Sequence, residues 1–279
     1  MSEAGSSRES QRIRLVRAEA LVLRRRDLGE ADRILTLFTR EAGKLRAVAK
    51  GVRRPQSRLA GHLDLFMRTN VLLARGRELD IVTQAQLVES FSGLRQDPWR
   101  VGWAGYLADL ADRATAEADP QPALYELLVE SFRLLATRDD PFPIVRRFEM
   151  RLLVLLGYQP ELFVCPRCGK RLMPGKLAYV PDLGGVVCAG CLTEGPSEIP
   201  LSVGAVKALR LLLADRWQEL ENRPLSPQLR GQIETTLQAA LRAHLSGPLS
   251  SADVAAVLDR RQGNGNDGDC ASPLAGASG

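Results

Sequence analysis

The sequence predicts an α+β chain: a five-stranded barrel, then an α-helical domain with a four-cysteine module inserted in it. Three observations predict this. Apolar residues alternate with period two through the first third, as in half-buried strands. After Asp97 the apolar period becomes helical. Two Cys-x-x-Cys pairs then fall inside the helical part, with 19 residues between Cys168 and Cys188. At 279 residues and 45% hydrophobic, the chain is long and apolar enough to bury more than one core.

Strands are predicted at 18–26, 32–39, 44–50, 62–74 and 79–89. Leu45, Ala47 and Ala49 alternate with Arg46, Val48 and Lys50, and Ile81, Thr83, Ala85 and Leu87 alternate with the residues between them. Breaks fall at 27–30, 41–43, 51–61 and 75–78, where glycine or charge clusters. Five short strands in so compact a stretch fit a small closed barrel of the OB-fold type. The predicted units are a disordered N-terminus at 1–12, the barrel at 13–92, the helical domain at 93–261 and a disordered tail at 262–279. The zinc module occupies 163–198.

Asp97 with Pro98 forms a helix start. Further helices are predicted at 123–137, 142–156 with Gly157 as its stop, 202–220, 226–245 and 251–261. Both ends of the chain are polar and aperiodic, and Cys270 in the tail stands apart from the other four cysteines. No apolar run is long enough to span a membrane, and the first residues lack the apolar segment of a secretory signal. The expected compartment is the cytoplasm.

Cys165, Cys168, Cys188 and Cys191 have the spacing of a structural zinc site. Each pair sets two thiolates on one side of a tight turn, with Gly169 and Gly190 supplying permissive backbone. Four cysteines fill a tetrahedral zinc and leave no open position for catalysis. A redox Cys-x-x-Cys would want a strand-to-helix setting, which is absent. Disulfides do not suit a reducing cytoplasm. A nucleotide deaminase would carry His-x-Glu, whereas His62 is followed by Leu63 and Asp64. His62 and His244 are the only histidines, too few for a histidine-built metal site. No Walker-type phosphate loop occurs, and no catalytic constellation stands out, so the chain reads as a non-enzyme.

Charge is uneven. Residues 1–95 hold 19 Lys and Arg against 11 Asp and Glu, while the rest of the chain is slightly acidic. An anionic partner for the first third is expected. Arg46 and Lys50 face away from Leu45, Ala47 and Ala49, and the following loop carries Arg53, Arg54 and Arg58. Phe66 and Arg68 share the outward face of the next predicted strand. Cations beside an aromatic suit single-stranded nucleic acid, phosphates meeting the charges and bases the ring. Phe66 has a second reading, as core at a barrel corner.

Residues 19–58 resemble the N-terminal domain of the bacterial DNA repair protein RecO family. The resemblance rests on Gly29-Glu30-Ala31-Asp32-Arg33-Ile34-Leu35, on Thr39-Arg40-Glu41-Ala42-Gly43-Lys44-Leu45, and on Ala49-Lys50-Gly51-Val52-Arg53-Arg54 with Ser57. The order of barrel, helices and cysteine module also fits, and the likeness covers nearly all of the chain between its two tails. It implies a DNA-binding OB-fold whose basic loop maps onto Lys50, Arg53, Arg54 and Arg58. It further implies a mediator that binds single- and double-stranded DNA, anneals complementary strands, contacts single-strand-binding protein and joins RecR to load RecA. A nucleoid-associated location follows.

The acidic, apolar-ended tail of single-strand-binding protein needs a cationic rim beside an apolar groove. Arg147 and Arg151, four apart on the helix at 142–156, with Arg146 beside them and Arg133 on the preceding helix, are the candidates. These arginines have another reading, as surface partners of Glu126, Glu130 or Glu149. Two other functions compete. An RNA-binding barrel with a zinc ribbon would look the same, because nothing here reads a 2′-hydroxyl. A zinc-dependent nuclease would need ligands other than cysteine.

Overall fold

A computed structural model describes residues 15–193, 195–222 and 225–245. The predicted helix 251–261, both predicted disordered ends and Cys270 lie outside the described residues. Five strands, β1 (Leu15–Leu28), β2 (Asp32–Thr39), β3 (Gly43–Ala49), β4 (Arg68–Ala74) and β5 (Asp80–Glu89), close into a barrel in the order β1-β2-β3-β5-β4. β1 serves both neighbours. Its first half pairs with β4 (Leu15↔Ala74) and its second half with β2 (Leu28↔Asp32), with a register shift between Val22 and Arg24. Such a bulge adds local twist, which a strand needs to turn a barrel corner. β3 and β5 pair in parallel through Ala47↔Asp80 and Val48↔Ile81. Inward Val22, Leu35, Leu37, Ala47, Leu73 and Val82 fill the barrel.

The strand predicted at 62–74 begins only at Arg68. Ala60–His62 form a 3-10 turn, and Phe66 takes a left-handed backbone (φ 63°). The apolar residues there alternate for another reason. Leu63 plugs the barrel core, while Phe66 turns outward into the helices.

Three helices follow: α1 (Pro98–Ala114), α2 (Pro122–Thr137) and α3 (Phe142–Leu155). The Asp97 carboxylate accepts from the Trp99 amide at 2.9 Å, the expected N-cap. Gly157 (φ 83°) ends the third helix as its left-handed stop. The single helix predicted at 202–220 is two pieces, α4 (Val203–Leu213) and the one-turn α5 (Gln218–Glu221). Asp215 interrupts them at φ 56°. The Arg216 amide donates to Leu211 O (2.8 Å) and the Asp215 amide to Leu212 O (3.1 Å), a Schellman-type ending made without glycine. α6 (Pro227–His244) packs against α3 and α4.

Between α3 and α4 lies a small antiparallel sheet, β6 (Leu177–Val180), β7 (Gly185–Cys188) and β8 (Ile199–Leu201). A second apolar core, distinct from the barrel interior, joins the barrel's outer side to the helices and the small sheet. It runs from Leu21, Phe38 and Phe66 of the barrel region through the helices to Leu162 and Val186 beside the cysteines. Polar contacts reinforce the barrel–helix seam. Arg24 binds Asp109 (2.5 Å) and Asp112 (2.7 Å), and Lys44 binds Asp112 (2.9 Å). The Ala118 amide donates to Lys44 O at 2.8 Å. Gly43 makes that approach possible: a Cβ there would lie 2.2 Å from the Asp119 carbonyl oxygen, at a φ of +69°.

Candidate metal centre and nucleic-acid interface

The four cysteines meet. Their sulfurs all lie within 4.8 Å of one another, and none is in a disulfide. The first knuckle is a tight turn. The Cys165 amide donates to Lys170 O (2.8 Å) and the Gly169 amide to Cys165 O (2.9 Å), with Gly169 at φ +69°. In the second, Cys188 ends β7 and Ala189–Cys191 form a 3-10 turn. Gly190 is not among the residues with positive φ, so its freedom is not used there. Arg167 holds the two knuckles together, its guanidinium bonding the Cys191 carbonyl and Glu198 (2.9 Å).

Cys165 is fully buried. Burial pushes its thiol up, but backbone N–H groups of Cys188, Cys168 and Arg167 outweigh that and hold it at about 6. Hydrogen bonding with Cys168 and burial push Cys191 up to about 12. The pocket offers four soft donors to one metal ion.

The basic loop after β3 is pinned from within. Val52 is buried in the barrel core, the Gly51 amide donates to Asp32 Oδ1 (2.7 Å), and the Arg53 amide donates to Ala31 O (2.9 Å). Gly51 takes φ +64°. The loop cations divide into two kinds. Lys50, Arg54 and Arg58 are exposed and make no ion pair among the described residues. Arg53 is turned back onto Asp27 (3.4 Å) and the Gly29 carbonyl (3.2 Å). The Asp27 carboxyl sits below its usual range because Arg33 hydrogen-bonds it and Arg53 lies close. Arg46 faces outward as predicted but lies 3.3 Å from Glu117 of the helical part.

One cation was missed. In the run Arg24–Arg26, Arg24 is held by Asp109 and Asp112 and Arg25 by Asp64, leaving Arg26 exposed and unpaired among the described residues. The run was visible in the sequence. Which member stays free depends on acids far along the chain.

Phe66 does not share an outward strand face with Arg68. It is 6% exposed and meets Phe132 edge-on at 5.4 Å, with Phe91 on the same ring at 5.7 Å. Its other reading, packing at the barrel's corner, is the one the structure contains. Arg68 is largely covered and bonds Glu19 at 2.8 Å, while the Tyr125 hydroxyl donates to the same carboxylate at 3.1 Å.

The arginines proposed as a surface rim are also placed differently. Every residue from Phe142 to Met150 is buried. Arg146 is 1% exposed, 3.2 Å from Glu149. Arg147 is buried between Glu130 (3.0 Å) and Asp215 (2.6 Å), over the Trp217 ring. Arg133 is on the surface but engages Glu89 through two nitrogens. Arg151 is half-buried without an ion pair among the described residues. α3 is packed on by α1, α2, α4, α5 and α6, so Arg146 and Arg147 face other helices rather than water, while Arg151 stays half-buried.

Two family models match the chain: "Recombination protein O N terminal" over residues 13–91 and "Recombination protein O C terminal" over residues 95–253. A DNA repair protein RecO from Pelotomaculum thermopropionicum is 38% identical over 248 residues, 89% of this chain and 95% of that protein. One from Symbiobacterium thermophilum is 38% identical over 88% of this chain and 98% of its own length. One from Desulforudis audaxviator is 40% identical over 81% and 90%.

Proposed function

Since the chain belongs to the RecO family of DNA repair proteins, we propose that it is a non-catalytic recombination mediator of the cytoplasm and nucleoid. It binds single- and double-stranded DNA through the barrel, anneals complementary strands and, with RecR, helps load RecA onto strands coated by single-strand-binding protein. The observation that carries the reading is the triad Lys50, Arg54 and Arg58, exposed and unpaired on a loop fixed to the barrel. Two complementary strands repel through their phosphates. A cationic surface that screens them lowers that barrier without bond chemistry.

The metal of the cysteine centre is a single structural zinc. A tetrahedron of thiolates with zinc–sulfur bonds of about 2.3 Å has edges of about 3.8 Å. The Cys168 and Cys188 sulfurs lie 3.8 Å apart, which supports that choice. Zinc supplies folding energy here, tying the sheet of β6, β7 and β8 to the helices.

The test is annealing of complementary strands coated with single-strand-binding protein, with and without this chain, beside a matched RNA pair. Faster annealing of the DNA is expected. An unchanged rate defeats the mediator reading, and a preference for RNA replaces it with an RNA-binding one.

A further inference from the structure

The segment 162–181 contains Arg167, Lys170, Arg171 and Lys176 and no acidic residue. Arg167 is used to join the knuckles. Lys170, Arg171 and Lys176 are exposed and make no ion pair among the described residues. Within the same segment Phe163 is 49% exposed and Met173 68% exposed. An aromatic so open is ordinarily mobile. Here its backbone is clamped. Arg210 of α4 bonds the Leu162 carbonyl through Nε (2.9 Å) and Nη2 (2.6 Å), and its guanidinium lies 4.7 Å from the Phe163 ring centroid. The Phe163 and Val164 amides both donate to the Glu161 carboxylate, at 2.7 and 2.9 Å. The backbone of 163–165 is then laced to 170–172, through Cys165 N to Lys170 O (2.8 Å) and Leu172 N to Phe163 O (2.9 Å). The backbone that carries the ring is therefore fixed, and the ring lies against a guanidinium with much of its surface bare. Lys170 and Arg171 lie on the segment laced to it, and Lys176 lies a few residues further on.

We propose that the first cysteine knuckle is a second contact for single-stranded DNA, separate from the barrel loop. Bases stack on the exposed Phe163 ring, and phosphates meet Lys170, Arg171 and Lys176. The chemistry favours nucleic acid over an acidic peptide. An open ring with dispersed cations matches alternating bases and phosphates. A peptide tail needs a concavity for its apolar end. The inference deepens the DNA-binding reading above, and two contacts on one chain would let it hold a strand at two points.

The test measures binding of a labelled deoxythymidine oligomer to the full chain across a salt series, with zinc content determined for each variant. Lys170→Glu with Arg171→Glu should lower the slope of log affinity on log salt by about 1.4, roughly 0.7 per lost contact. Lys176→Glu, away from the knuckle turn, should lower it by about half as much. Phe163→Ala should weaken binding by between about 5- and 150-fold with the slope unchanged, the range expected for one lost base stack. Arg54→Glu with Arg58→Glu serves as the comparison. If that barrel variant weakens binding while the knuckle variants match the wild type, the second contact is refuted and the barrel reading stands. If the knuckle variants lose zinc but keep the salt slope, the cations serve the metal centre and the proposal falls. A wild-type chain that binds no DNA would instead remove the reading on which the proposal rests.

Discussion

Arg146 and Glu149 lie three residues apart on α3 and form an ion pair of 3.2 Å in which neither is more than 1% exposed. The Tyr106 hydroxyl donates to the other Glu149 oxygen at 2.5 Å, and Glu234 lies 3.8 Å from the same guanidinium. The aromatic faces of Trp103 and Phe142 flank the charge. Burying both members of a pair is no guarantee of net stability, but removing one is costly.

Burial pushes Glu149 from its ordinary 4.5 to about 7, although Arg146 and the Tyr106 hydroxyl pull the other way. Between these values the folded chain keeps a proton that the unfolded chain has released. Stability from this group is therefore complete below about pH 4.5 and declines as pH rises toward 7. Glu149→Gln should flatten that decline. Urea unfolding of wild type and variant at intervals across this range would show it, and parallel curves would refute it.

Metal analysis should find about one zinc per chain. Cys165→Ser or Cys188→Ser should release it and lower the thermal midpoint of the helical part. The barrel loop, anchored through Val52 and Asp32, should bind DNA with less change. A chain that melts at the same temperature with and without a chelator would show that the metal adds nothing to folding.

Arg53 is committed to Asp27, so the barrel's free cations are the better targets. Arg54→Glu with Arg58→Glu should weaken binding to every DNA sequence alike and reduce the salt slope by about 1.4 on single strands. Reversal of Arg53 alone should do less. A loss of about 0.7 from Arg53 alone, that of one full contact, would mean that Asp27 releases Arg53 on binding.

Phe66→Ala should cost about 3–5 kcal/mol, as for other buried aromatic truncations. The loss belongs to the seam with Phe132 rather than to DNA. At a temperature where the variant is folded, its DNA affinity should match that of wild type. A selective loss of affinity with intact stability would return the ring to the binding face.

Legibility followed the range of the physics. The barrel strands β2, β3 and β5 could be read because a two-residue period is local, and so is the spacing of Cys165, Cys168, Cys188 and Cys191. For Arg146 and Arg147 the partners Glu149 and Glu130 were legible as the second reading, but not Asp215 or the burial of the pairs, which depend on helices distant in sequence. The 62–74 stretch misled because Leu63 and Phe66 serve two different cores, and their spacing imitates a strand. Asp215 broke a helix without glycine or proline, and Arg147, distant in sequence, is its partner.

The Gly43–Asp119 seam has a mechanical meaning. The chain leaves α1 and lays 117–118 along β3, so the barrel shares backbone hydrogen bonding as well as apolar surface with the helices. Barrel and helices are then joined along the main chain and are not beads on a string. A load placed on the barrel would therefore reach the helices through the main chain of 117–118 and not through side chains alone.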